Sequence, residues 1–84
     1  MGLPTTPVTL DTKQLEEFNH QLSTMRHDIN NHLSLIMAAL ELLRKKPETT
    51  ERMLVTLAEQ PPKISQSMVK FSSEFERFFG ITRP

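Results

Sequence analysis

The sequence predicts an all-α protein, an antiparallel two-helix hairpin that homodimerises into a four-helix bundle. Three observations carry this reading. Apolar residues recur at alternating spacings of three and four along two long stretches, Leu15 to Leu43 and Leu54 to Phe78, the pattern of helices packed in a left-handed bundle. The stretches match in length, about 32 to 34 residues or roughly 50 Å each at 1.5 Å per residue. Only a short segment around Pro47 joins them, which favours an antiparallel pair. The chain has 84 residues and no cysteine, too small for a self-sufficient core and without a disulfide to reinforce it. A second copy would bury the stripes that one hairpin leaves in water.

The elements follow in order. Residues 1–10 hold Gly2, Pro4 and Pro7 and form an extended arm. Residues 11–80 form the hairpin, and 81–84 a short tail. Helix one starts at Asp11, which can cap it, with Gln14 completing a capping box and Leu10 and Leu15 at the hydrophobic-staple positions. Its seam is Leu15, Phe18, Leu22, Met25, Ile29, His32, Ile36, Ala39 and Leu43. Leu33, Met37 and Leu40 widen the stripe, so this helix meets more than one neighbour. Arg44, Lys45 and Lys46 put positive charge at the negative end of the helix, and Pro47 stops it.

Helix two begins near Pro47 or Thr49, with Glu48 and Glu51 suited to its first turn. Its expected seam is Leu54, Leu57, Pro61, Ile64, Met68, Phe71, Phe75 and Phe78. Pro61 and Pro62 each lack a backbone donor and work against the helix. The heptad register nevertheless passes through them unchanged, which predicts one kinked helix rather than two. Gly80 followed by Ile81 reads as a Schellman stop.

Composition narrows the function. Ten Lys and Arg balance ten Asp and Glu for a formal net charge of zero, which argues against a nucleic-acid partner. No apolar run approaches the roughly 20 residues that span a bilayer, and the N-terminus lacks the regions of a signal peptide. The start M-G-L-P-T-T fits a myristoylation pattern loosely, and two nearby prolines make coincidence the better reading. The lack of cysteine fits a cytoplasmic location.

The chemistry concentrates in M-R-H-D-I-N-N-H-L, residues 25–33. With Leu22 and Ile29 at heptad position a and Met25 and His32 at d, His27 falls at f, the outermost position. Asn31 lies one turn on, on the same side. Asp28 is at g beside the seam, Asn30 is exposed at b, and His32 points into the seam. A carboxylate beside an exposed imidazole can take the Nδ1 hydrogen and leave Nε2 with a free lone pair for attack on an electrophile. An electrophile carried by another protein needs no deep pocket, so the arrangement suits a phosphoryl carrier better than a hydrolase. Plainer readings stand beside this one. An exposed f-position histidine is ordinarily solvated, and a d-position histidine is ordinarily a polar core group that sets register. On sequence alone His32→Leu is expected to leave stability unchanged or raised, a marked loss being the sign of a hidden hydrogen-bond partner. Asp28 and His32 could share a metal, but two ligands without a third make a weak site. His20 reads as surface, the C-terminal phenylalanines as core, and Lys63, Lys70 and Arg77 as a solvated face.

Residues 26–43, R-H-D-I-N-N-H-L-S-L-I-M-A-A-L-E-L-L, resemble the H-box of sensor histidine kinases, closest to the H-D-x-N-N subset of their dimerisation and phosphoacceptor domains. The resemblance extends to the architecture of two long helices and a dimeric bundle. It implies that His27 is the phosphoacceptor, Asp28 the adjacent general base, and Asn31 the amide that positions the incoming phosphate or its metal-bound nucleotide. It also implies partners. ATP and Mg²⁺ would sit on a separate kinase domain, in cis or in trans, and a response-regulator receiver domain would take the phosphoryl group on an aspartate. No cofactor is expected on this chain. Two features depart from the family. The position after the amide often holds proline or an apolar residue, whereas here it is His32, so any bend made by that proline is reduced or absent. Glycines occur only at 2 and 80, so no Gly-rich nucleotide lid is present and the chain is not an autonomous kinase. It reads either as one domain of a larger kinase or as a stand-alone phosphotransfer protein. The alternative function is a catalytically inert helical dimerisation module related to these kinases.

Overall fold

The computed structural model describes residues 2–81. Met1 of the arm and residues 82–84 of the expected tail lie outside the described residues. Helix α1 spans Thr12–Lys45. A single turn of 3₁₀ helix at Pro47–Thr49 leads into α2, Thr50–Phe79. The expected hairpin is therefore present, and the described residues contain no β-strand.

The helix ends form as their local sequences require. Asp11 accepts from the Gln14 backbone N–H at 2.8 Å, and the Asp11 N–H donates back to Gln14 Oε1 at 2.9 Å. This reciprocal pair satisfies two N-terminal donors that the helix itself cannot. At the other end Glu41 pairs with Arg44 at 3.6 Å and Lys45 at 3.2 Å. Gly80 adopts φ 63°, the left-handed region, and the Ile81 N–H donates to the Glu76 carbonyl at 2.9 Å. That 6→1 bond is the defining contact of the Schellman stop.

The molecule measures 59 × 29 × 12 Å. Its thinnest dimension is about one helix diameter, so the hairpin is a single layer with two broad faces. A single layer has no interior, and among the described residues only Ala39 (2% exposed) and Gln60 (3%) are fully buried. The α1 seam faces α2 as expected, with Phe18, Leu22, Met25, Ile29, His32, Ile36 and Leu43 half-buried and Ala39 buried, whereas Leu15 at its start is exposed. At the open end Phe18 packs on Phe71, Phe75, Phe78 and Phe79, with ring centroids 5.4 to 5.9 Å apart. These are favourable offset and edge-to-face distances.

The α2 seam differs from expectation in one respect. Leu57, Ile64, Phe71 and Phe78 face α1, but Leu54, Pro61 and Met68 stay exposed, and Phe75 reaches Phe18 of α1 while leaving 39% of itself in water. Met53, Gln60, Ser67 and Glu74 turn inward in their place. The apolar arc of α2 is wider than a single neighbour can cover, so periodicity located the arc and not its centre. The helix runs unbroken through Pro61 and Pro62. Those two residues still withhold the N–H groups that the Leu57 and Ala58 carbonyls would otherwise receive.

Candidate functional site

The two broad faces differ in chemistry. On one, Glu17 of α1 meets Arg77 of α2 at 3.7 Å. Further along that face a small groove lies between the helices, lined by Gln21, Thr24, Met25 and Asp28 of α1 and Ser67, Lys70 and Phe71 of α2. Heptad geometry puts Leu33, Met37 and Leu40 of α1 on the opposite face, with Leu54, Met68 and Phe75 of α2. All six are exposed.

His27 stands on the outer edge of α1 with 84% of its side chain exposed. Asn31, one turn on, is also exposed. Asp28 turns from that edge toward the groove, and its Oδ1 lies 3.9 Å from His27 Nδ1. Adjacent helical residues point about 100° apart, so this pair approaches without forming a hydrogen bond. The nearer ring nitrogen is Nδ1. That is the orientation in which a carboxylate can hold the Nδ1 hydrogen and leave Nε2 for chemistry, and such contacts often close only when a reaction partner binds. The structure thus places His27 and Asn31 on the outer edge of α1, with Asp28 beside His27 and turned toward the groove. None of the three hydrogen-bonds to α2.

His32 belongs to a different arrangement. Its Nδ1 lies 2.7 Å from Gln60 Oε1, and Gln60 Nε2 donates to the Thr56 carbonyl at 3.0 Å. A carbonyl can only accept, so the amide orientation is determined: Nε2 faces Thr56 and Oε1 faces His32. His32 must then carry its hydrogen on Nδ1 and donate it. This is the hidden partner whose absence the sequence expectation for His32→Leu assumed, and it reverses that expectation. Gln60 was not recognisable as a site residue in the sequence. It precedes Pro61, and only the rotated α2 seam places it inward.

Lys70 is exposed, in keeping with the solvated face expected of it. It does line the groove with Asp28. Of its two companions, Arg77 pairs with Glu74 at 2.6 Å and lies over the Phe78 ring, its guanidinium carbon 4.8 Å from the ring centroid. Glu74, through a hydrogen bond and its charge, holds the Arg77 pKa above the ordinary value. Lys63 meets Glu59 at 3.9 Å. His20 is exposed, as expected. Among the described residues no group of three or more His, Cys, Asp or Glu is placed to hold a metal ion. No helix among them is long and apolar enough to cross a membrane. The chain matches no protein-family model, no curated protein and no solved structure.

Proposed function

We propose that this chain is a dimeric phosphoacceptor domain of two-component signalling, cytoplasmic, carrying a phosphoryl group on His27 and passing it to a receiver-domain aspartate. The observation that carries the reading is His27 itself, 84% exposed, with Asp28 on its Nδ1 side. The H-box resemblance of residues 26–43 supports the same assignment. A separate kinase domain supplies ATP and Mg²⁺. Nε2 attacks the γ-phosphorus, the Nε2–P bond forms, and the bond to the ADP oxygen breaks. Asp28 stabilises the Nδ1 hydrogen while the ring gains positive character, then helps release that proton. Asn31 offers an amide to the incoming phosphate. In the second transfer the receiver carboxylate attacks phosphorus and the imidazole leaves.

The dimer is supported by surface area. The chain exposes 6492 Å², whereas a compact monomer of its mass exposes about 5,100 Å². The excess of roughly 1,400 Å² exceeds the roughly 800 Å² per partner buried in a standard interface. Leu3 and Val8 of the arm carry part of this surface, and the apolar face of the hairpin carries more. Two copies stacked on their apolar faces make a four-helix bundle and leave both His27 edges and both polar faces in water.

The test is incubation with a histidine-kinase ATP-binding domain and ATP. Acid-labile, alkali-stable phosphate is expected on the chain and on no site in His27→Ala. Full labelling of His27→Ala would overturn the assignment. The second reading, an inert dimerisation module, draws on the apolar face, which is independent of His27. It predicts an intact dimer that takes phosphate from no kinase or receiver.

A further inference from the structure

We infer that α2 is a two-position helix, and that the His32–Gln60 hydrogen bond is the latch holding the position the structure shows. The inference does not depend on the phosphoacceptor reading. Leu57, Ile64, Phe71 and Phe78 face α1 and belong to both positions. The row now turned inward beside them is Met53, Gln60, Ser67 and Glu74, three residues on from each shared site. The row left outside is Leu54, Pro61, Met68 and Phe75, four residues on. At about 100° per residue the first row stands about 60° to one side of the shared row and the second about 40° to the other. The two seams are therefore centred about 50° apart, and a turn of that size about the α2 axis exchanges one row for the other against α1.

Burial by itself favours the other position. Leu54 is 54% exposed and Met68 52%, and turning them onto α1 takes apolar surface from water. The row now inside is the more polar one, with an amide, a hydroxyl and a carboxylate. The polar links that oppose the turn are unequal. Arg77 reaches Glu17 of α1 at 3.7 Å, but both side chains are more than half exposed, and a pair of that kind contributes little. Glu74 and Arg77 pair within α2 and turn together. The His32–Gln60 bond decides the balance. It crosses between the helices at 2.7 Å at a glutamine that is 3% exposed, and turning α2 breaks it. Pro61 and Pro62 follow at once and remove two N–H groups from the middle of the helix, the kind of position at which helices deform most readily. In the proposed dimer Leu54 and Met68 face the second copy, so pairing and rotation compete for the same side chains.

The chain has no cysteine, so single introduced thiols can report each row by their rate of alkylation with iodoacetamide, in the full chain shown to be folded by circular dichroism. Ser67→Cys marks the row that leaves α1. Ile64→Cys and Leu57→Cys mark the shared row, which stays inward in both positions, and either one suffices if the other fails to fold. Each is made in the wild type, in His32→Leu and in His32→Leu/Gln60→Leu. In His32→Leu the stranded Gln60 amide gains by turning into water, and loss of the latch shifts the ratio of the two positions by about 5–150-fold. The thiol at 67 is expected to react about 5-fold faster or more, while the thiols at 57 and 64 keep their wild-type rates. His32→Leu/Gln60→Leu leaves no stranded amide and is expected to return the thiol at 67 to the wild-type rate. An unchanged rate at 67 in His32→Leu would overturn the inference. A rise shared by 57 and 64 would overturn it too, since general loosening and not rotation exposes the shared row. A rate at 67 that stays high in the double variant would show that the amide is not what sets the position, and would also overturn it.

Discussion

His27 and His32 share one helix and differ in everything that decides their use. The first has most of its imidazole in water, with a carboxylate near one nitrogen. The second has one nitrogen committed to a buried amide. Removing the imidazole at 32 strands Gln60 Oε1 in a site that is 3% exposed. An orphaned buried acceptor costs about 1–3 kcal/mol, so His32→Leu is expected to lower the unfolding free energy by that amount. His32→Leu/Gln60→Leu removes both partners and is expected to recover most of the loss. Chemical denaturation of the three variants at one protein concentration checks this. Equal stability of the single variant and the wild type would mean that the hydrogen bond contributes nothing net.

At the scale of the helices, what was legible in the sequence was what is local. The capping box of Asp11 and Gln14 and the stop at Gly80 and Ile81 are made between residues three to five apart, so the pattern contains both partners. The α1 seam was legible because its alternation of three and four runs without a slip from Phe18 to Leu43, although Leu33, Met37 and Leu40 beside it are apolar and exposed. The α2 seam was not, because Leu54 and Met68 are as apolar as the residues facing α1 and nothing in their spacing separates the two sets. The His32–Gln60 bond joins residues 28 apart and depends on the register of one helix against the other. For the candidate site, His27, Asp28 and Asn31 could be placed on α1 by heptad position alone, but the groove beside Asp28 needed the second helix. The same element carries Pro61 and Pro62 in its interior. Each proline costs an isolated helix about 3 kcal/mol against alanine. Pro61→Ala/Pro62→Ala is therefore expected to raise the thermal midpoint, read by circular dichroism at 222 nm. An unchanged midpoint would show that packing around the Gln60 turn already offsets the lost N–H groups.

For the whole molecule, the asymmetry of its two faces makes a separable prediction. Light scattering is expected to give twice the chain mass of 9.7 kDa at micromolar concentration. Leu54→Glu/Met68→Glu puts charge on the apolar face without touching the His27 edge. It is expected to return the chain to monomer mass and lower its helicity, because a hairpin of this size lacks a core to hold it. Monomer mass for the wild type would refute the stacking. The 12 Å thickness then has a consequence for dosage. If the proposed dimer makes folding and pairing one event, the folded fraction depends on total protein and not only on sequence. Near the dissociation constant, halving expression would remove more than half of the competent pairs. Under the proposed function, abundance would then be an input in its own right, read before any phosphate arrives.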